Sequence, residues 1–596
     1  MKKYYDTLVI GTGCAGYGAA ERLHTFGMRD VAIITEGRYM GTSRNTGSDK
    51  QTYYKLSLCG ADGDSVREMA DTLYSGGGVM GEHALCEAAY STRCFMHLCE
   101  LGVPFPANEY GEYAGYKTDH DPRSRATSCG PLTSKYMTEA LERSVLERGI
   151  EIIDLERVVK ILTKDSKVCG VVSVNAATGK FSTIGCSNVV LATGGPAGIY
   201  KNTVYPESQH GATGLAIDAG AVLSNMEEWQ YGIASIAFRW NLSGTYQQVI
   251  PRYFSIGEDG VEREFLFEEL GIKAYDAVFL KGYQWPFDTR KTEGSSRIDL
   301  LVAKEIKRGR RVFMDFTKNP EGLVLEALSD ESRGYLERSE ALFGRPIERL
   351  DKMNRGAIEL YASHGINLWT EPLEIAVCAQ HCNGGVAVDA HWQSTVEGLY
   401  AVGEAAGTFG VYRPGGSALN STQVGALRAA EHIAEKERGI PDIVEFDVPT
   451  IKYGVSNVKE ILNSLQSEMS RVADFDRSTD GMKTLLARVE EIHENFFELL
   501  SISDASELTE LFKLYDTVIV QRSVLSAMIL SANTVGTHGA AMVDGKASAH
   551  GEVRKTRTLT RAHVSTIAPV SAMPDPELWF ETLLARQREK AEAKRK

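Results

Sequence analysis

The hydrophobic pattern of the chain changes period several times, and each change marks an element. Residues 7–10 (TLVI) are an unbroken apolar run, the signature of a strand buried on both faces. GTGCAG follows, then YGAAERLHTFG with helical spacing, then a second apolar run, VAIIT, that ends at Glu36. Strand, glycine turn, helix and strand make one βαβ unit over the first 36 residues. Apolar positions three and four residues apart predict helices within 65–101 and 132–148. From 151 to 192 the runs IEIID, VVKILT, VCGVVSVNA and FSTIGCSNVVLA, separated by Asp, Ser and Gly turns, predict a β-rich stretch. Between 240 and 355 this rhythm is lost to aromatics, isolated glycines and charged helical segments such as RIDLLVAKEIKRGRR. Strand-and-glycine alternation resumes at 375–411, a helix is predicted at 417–437, and about 440–575 reads mostly as amphipathic helix. The tail RQREKAEAKRK reads as a solvated helix end. No internal repeat or low-complexity linker interrupts this order.

Length and charge narrow the class. A chain of 596 residues exceeds one hydrophobic core, so about two to four domains are expected. With 65 basic and 79 acidic side chains the net charge is −14, against the basic surplus that phosphate neutralisation demands. No nucleic-acid partner is therefore expected; a local basic pocket for a small acidic substrate remains compatible with the overall sign. No run approaches the roughly 18 apolar residues of a membrane span. MKKYYDTLVIGTG leads straight into a strand without a signal-peptide cleavage pattern, so a cytoplasmic location is expected. The ten cysteines are scattered, with no CxxC pair, haem-attachment run or cluster motif; free thiols, no metal site and no second redox centre are expected.

The glycine turns carry the chemistry. In GTGCAG, Gly11 allows the tight turn, Gly13 lets backbone approach a pyrophosphate, and Gly16 packs helix against strand. Glu36 stands 20 residues after Gly16, where a carboxylate binds ribose hydroxyls, which points to FAD or NAD in preference to NADP. VVLATGGPAG (189–198) is a second strand that ends in small residues (Ala192, Thr193, Gly194, Gly195), and GLYAVGEAAG (398–407) is a third. Three such endings gather more backbone than a nicotinamide dinucleotide requires, so FAD is the expected cofactor.

These segments, with QHCNGG (380–385) and YRPGGSALNSTQVGALRAAEHIA (412–434), occur in an order and spacing that resemble the flavoprotein subunits of succinate dehydrogenase and fumarate reductase, a group that includes aspartate oxidase. The resemblance implies an α/β fold: a Rossmann-like FAD-binding domain (1–235 and 356–438) interrupted by an α+β capping domain (236–355) and followed by a helical domain (439–596). It implies that Thr42, Ser43, Asn45 and Thr46 lie on the flavin-phosphate loop and that Glu404 holds the ribityl or ribose chain. Ser417, Ala418 and Leu419 would place N–H groups at the pyrimidine end of the flavin. His381 would hydrogen-bond an anionic or carbonyl oxygen of the substrate, Arg413 would clamp a carboxylate, and Arg297 would be the proton donor of a fumarate-type reduction.

Four departures from the group's pattern bear on the substrate. Asn45 stands where respiratory members carry the histidine that bonds covalently to flavin, so noncovalent FAD is expected. Gly232 occupies the place of a histidine, and TYQQV (245–249) lacks the acid and arginine of the proton relay. GYKTDHDPRSRATSCGPLTS (115–134) adds His120, Asp121, Arg123 and Arg125, which form either an anion pocket with His120 as an acid/base or a salt-bridged loop. Tyr53, Tyr54 and Lys55 replace small residues and are expected to reshape the pocket. The resulting expectation is hydride transfer between flavin N5 and a small polar, carboxylate-bearing, unsaturated substrate other than fumarate or succinate. The alternative is a dehydrogenase or oxidase of a hydroxy, amino or sugar acid with His120 or His381 as base. Electrons would pass to a partner or a diffusible carrier.

Overall fold

The computed structural model describes residues 4–60, 63–436, 439–534, 540–547 and 553–593. The Tyr4–Ile10 strand pairs in parallel with Val31–Ile34 on one side and Phe181–Leu191 on the other. Glu151–Ile153 extends the sheet past Val31–Ile34, and Leu399–Ala401 pairs in parallel with the far end of Phe181–Leu191. An antiparallel meander, Glu156–Lys164 and Lys167–Asn175, completes it. The strand ends are in register: Ile10 lies opposite Leu191, and Leu191 opposite Ala401. Three glycine-bearing turns therefore leave the sheet at one level.

The Cys14–Thr25 helix is buried along most of its length because Cys14, Ala15, Gly16, Gly18, Ala19 and Ala20 are small enough to be packed from several sides. A Cβ on Gly16 would sit 2.0 Å from the Gly11 carbonyl oxygen, so glycine is the one residue that keeps this helix against the strand. The long Ser417–Glu435 helix packs across it, and Gln423 Nε2 donates to the Cys14 carbonyl at 3.1 Å.

A second, antiparallel sheet forms the cap, ordered Trp240–Asn241, Trp229–Ser235, Leu373–Cys382, Arg311–Asp315, Arg252–Ile256 and Glu262–Arg263. It draws two of its strands from outside 236–355, so the chain enters and leaves the cap through strands that also reach the cofactor side. The C-terminal region is helical at Val458–Val472, Thr479–Glu494 and Leu508–Thr534. It is not helical throughout: Thr556–Arg561 and Val564–Pro569 form a hairpin that joins Val222–Ser224 and Gly385–Val386 in a third sheet. The period there is two, with Thr558 and Thr560 buried, which a helical reading of the region overlooks. The Phe580–Ala593 tail helix has no buried residue, as a solvated end should. Among the described residues no helix is long and apolar enough to cross a membrane, and no group of three or more His, Cys, Asp or Glu is placed to hold a metal.

Buried acids lie close behind the site. Arg554 pairs with both Glu227 and Glu228. Glu87 accepts a hydrogen bond from Thr408 Oγ1 at 3.2 Å, and burial pushes its carboxyl up to about 7. Because the folded value lies above the unfolded one, Glu87 favours the folded state at low pH, and that contribution is lost as pH rises through about 7. Glu87→Gln stays neutral at every pH. Chemical denaturation at about pH 5 and pH 8 should show the variant losing less stability than the parent across that interval; parallel losses would mean that Glu87 titrates normally.

Candidate active site

A cavity of about 1160 Å³ runs from the three strand ends to the underside of the cap. Its cofactor end is lined by Gly11, Gly13, Glu36, Arg157 and His210, its middle by Ser43, Thr193, Gly194 and Glu404, and its far end by His120, Gln230, Trp285, Lys291, His381 and Arg413. Gly11 adopts φ +111, and a Cβ there would meet the Ala192 carbonyl oxygen at 2.5 Å; the first turn therefore requires glycine. Gly13 caps the helix whose N-terminus faces this end, where the Cys14 N–H donates to Ser43 Oγ at 3.3 Å.

Glu36 is held from two sides. Arg157 Nη1 lies 2.8 Å from one carboxylate oxygen and Lys513 Nζ 2.9 Å from the other. Burial opposes ionisation of Glu36, but the two cations outweigh it and hold the carboxyl below its ordinary range. Lys513 belongs to the Leu508–Thr534 helix, and one turn further Asp516 accepts from the Gly214 N–H at 2.8 Å. The C-terminal helical region thus fixes part of the dinucleotide end.

Several polar atoms on cavity-lining residues are buried without a hydrogen-bond partner among the described residues: Thr42 Oγ1, Thr193 Oγ1, Gln209 Oε1 and His210 Nδ1. Buried polar groups are ordinarily paired, so this row of orphans fits a long polar ligand such as FAD. Glu404 accepts from the Cys382 N–H at 2.9 Å and from the Tyr205 hydroxyl, and burial raises its carboxyl above the ordinary range. The side chains of three residues expected near the cofactor are engaged within the protein, although Thr46 itself lines the cavity. The Asn45 amide donates to the Tyr39 and Gly41 carbonyls (2.7 and 3.0 Å) and does not line the cavity. The Thr46 hydroxyl donates to the Val204 carbonyl at 2.6 Å. Ser417 Oγ donates to the Pro414 carbonyl at 2.8 Å, and its neighbours Ala418 and Leu419 face the cavity in its place.

At the far end His381, Arg413 and His120 line one space, and Arg297 does not. Arg297 is the second residue of the Ser296–Lys307 helix, half-buried, and its charge acts on the exposed Glu269. The RIDLL match locates a helix start, and the arginine there is not among the cavity-lining residues.

His381 reaches the cavity through a β-bulge. Gln230 pairs with His381 and Tyr231 with Ala379, leaving Gln380 as the extra residue, so both Gln380 and His381 line the space. The tautomer follows from its neighbour. Asn383 Nδ2 donates to the Gly410 carbonyl at 2.7 Å, which turns Asn383 Oδ1 toward His381 Nδ1 at 2.9 Å. The proton therefore sits on Nδ1, and Nε2 carries a lone pair. Nε2 has no hydrogen-bond partner and lies 4.0 Å from the Glu404 carboxylate, beyond hydrogen-bond range. Burial, and then the charge of Arg413, hold the imidazole well below its ordinary pKa. His381 is thus a hydrogen-bond acceptor, the reverse of the donor expected for an anionic oxygen.

Arg413 donates to Gln230 Oε1 at 2.7 Å and keeps Nε unpaired. Burial lowers it to about 10, so it remains a cation at neutral pH. His120 has φ +60, an uncommon conformation for a non-glycine residue. Its ring lies against Tyr412, with Nδ1 3.5 Å from Arg290 Nη2 and Nε2 3.6 Å from Asp119. Lys291 of the cap pairs with Asp119 at 2.8 Å and also lines the space. Asp121 of the same loop also lines the cavity, while Arg125 is fully buried between Asp64 and Asp121. Tyr53, Tyr54 and Lys55 are buried in the protein interior and do not reshape the cavity.

Gly232 explains the missing histidine. A Cβ at 232 would lie 2.5 Å from the Trp285 ring and 2.6 Å from Gln380 Nε2. The indole fills the space a side chain would need, and Trp285 Nε1 donates to Gln380 Oε1 at 2.7 Å. Trp285, Lys291, Gln380, Asn383 and Lys513 escaped the sequence reading. The one signal available was Gly232 itself, since glycine inside a buried strand marks close approach by another group.

The FAD binding domain family matches residues 6–419, and the chain belongs to it: this protein is an FAD-dependent oxidoreductase. Its relatives place it with the succinate dehydrogenase, fumarate reductase and aspartate oxidase flavoproteins. It is 25% identical to a subunit of the fumarate reductase (CoM/CoB) of Methanothermobacter marburgensis over 89% of this chain and 93% of that one. It is 27% identical to L-aspartate oxidase of Streptomyces coelicolor over 72% of this chain and 68% of that one. In fold it is similar to the Sdh1 complex of Mycobacterium smegmatis, with a TM-score of 0.73 and 17% identity over 96% and 95% of the two chains.

Lys513→Met should leave Glu36 with one cation and disturb its reach to the adenosine ribose. Flavin-fluorescence titration is expected to show FAD binding weakened about tenfold, with Lys513→Arg close to the parent. Equal affinity in all three would reduce the ion pair to a packing contact.

Proposed function

We propose that this enzyme dehydrogenates a carboxylate-bearing substrate at a carbon that carries a hydroxyl or amino group, with His381 receiving the proton. Bound FAD, held noncovalently, supplies the hydride acceptor. Arg413, a half-buried cation whose buried Nε is unpaired, anchors the carboxylate through charge-assisted hydrogen bonds. His381 Nε2 accepts the substrate O–H or N–H and takes its proton as the C–H bond breaks. Asn383 fixes the ring and stabilises the proton left on Nδ1.

The observation that carries this direction is the His381 tautomer. A fumarate-type reduction needs a donor to protonate the substrate carbon. Arg297 lies outside the cavity, and His381 offers a lone pair. A dicarboxylate, an acceptor at both ends, leaves that lone pair unsatisfied; a hydroxyl or amino group satisfies it. The oxidase among the relatives agrees in direction. Noncovalent FAD is supported by Asn45, whose amide is occupied by backbone carbonyls. Electrons then leave by a partner protein or a diffusible carrier.

Anaerobic mixing of oxidised holoenzyme with a panel of 2-hydroxy and 2-amino acids should bleach the flavin, and reduced enzyme should not be reoxidised by fumarate. His381→Gln is expected to slow bleaching by about 10²-fold or more, Arg413→Gln to abolish it, and Arg297→Ala to leave it unchanged. Reoxidation by enoates with no bleaching by any hydroxy or amino acid would reverse the assigned direction. Because burial holds His381 well below its ordinary pKa, the bleaching rate should show no loss of base between about pH 6 and pH 8. A sigmoidal rise centred near 6.5 would instead mark an ordinary, solvated histidine.

A further inference from the structure

The far end of the cavity has a wall that the proposed dehydrogenation does not use. Trp285 lines the space, and its ring is fixed from three directions. Its N–H is held by Gln380, its edge closes on Gly232, and Lys281 Nζ stands 5.0 Å from its centroid. Lys281 is itself fully buried and paired with the equally buried Asp299 at 2.6 Å. An indole backed by a buried ion pair cannot swing aside without exposing that pair, so the wall is rigid.

We propose that this wall makes the site a pocket for a cyclic carboxylic acid bearing ring hydroxyls, the ring lying along the Trp285 indole. The proposal rests on the dehydrogenase reading and adds the shape of the substrate. Three features carry it. An indole presents a broad apolar face with negative electrostatic character, complementary to the C–H groups of a ring and wasted on a charged chain end. The unpaired polar atoms around the cavity are of both kinds: Arg413 Nε and Gln380 Nε2 donate, while His381 Nε2 and Asn241 Oδ1 accept. Hydroxyls, which donate and accept, satisfy such a set; two carboxylates do not. Finally, the cap lysine against the indole and the cap lysine that lines the cavity are each paired already, Lys281 with Asp299 and Lys291 with Asp119. The cap therefore offers a second substrate carboxylate no uncommitted lysine beside the indole.

Calorimetric titration of oxidised holoenzyme with galacturonate, quinate, benzoate and succinate tests this. One or both hydroxylated ring acids should bind at least about tenfold more tightly than succinate. Trp285→Leu should erase that preference, Trp285→Phe should keep part of it, and both variants should retain full flavin absorbance. A parent enzyme that prefers succinate or benzoate, or a Trp285→Leu variant that keeps the ring-acid preference, overturns the proposal. Arg413→Gln separates the two readings: unimpaired binding of every acid in that variant defeats the anchor and the dehydrogenase site with it. Loss of all binding there, with no effect of Trp285, defeats the ring platform alone.

Discussion

The register of three parallel strands governs everything the molecule does. Ile10, Leu191 and Ala401 end side by side, so three turns of small residues leave the sheet together and bring backbone to one ligand. Parallel pairing makes this possible, because successive strands release their C-terminal ends on the same edge. The condition is strict. A one-residue slip would exchange the buried and turned faces of a strand and pull one turn out of the array. The close approach of Gly16 to Gly11 and of Gly11 to Ala192 leaves no room for such a slip.

Charge is handled differently at the two ends of the space those turns create. At the dinucleotide end an acid is surrounded by cations: Glu36 stays ionised because Arg157 and Lys513 offset its burial. Further along the cavity three ionisable groups are pushed toward their neutral forms. Burial lowers Arg413 and His381 and raises Glu404. Arg413 starts far enough from neutrality to keep its charge, so beside the His381 lone pair and a set of amides the far end carries an arginine cation, while its lysine, Lys291, is already paired with Asp119. That is an environment for orienting a single anion while moving a proton elsewhere.

The sequence made the cofactor side legible because its rules are local. A glycine that must turn, or an acid 20 residues past a turn, is bound by constraints within one βαβ unit, and Gly11, Gly13, Gly16 and Glu36 stand where those constraints put them. That Glu404, His381 and Arg413 line one cavity was legible through the order of longer motifs. The failures share one cause: a side chain's destination depends on distant packing. Arg297 lies on the expected helix, yet it does not line the cavity. Tyr53, Tyr54 and Lys55 follow the phosphate loop in sequence yet face the interior. The His381 tautomer depends on the Gly410 carbonyl, 29 residues away in sequence and related to it only through the fold.

Trp285 is the clearest case of information that exists only in three dimensions. Read in sequence, Gly232 looks like a loss, a glycine at the place of a histidine. In the folded chain it is a substitution, since the indole of a residue 53 positions later occupies the vacated volume and closes it to any side chain. Restoring a histidine at 232 alone would collide with that ring before it touched a substrate. The two positions are therefore one structural decision, and the buried Lys281–Asp299 pair behind the indole ties that decision to the cap's interior. Converting this site to another substrate would require changing the wall and its support together, which is why the pocket's character belongs to the cap as a whole and not to the glycine that first drew notice.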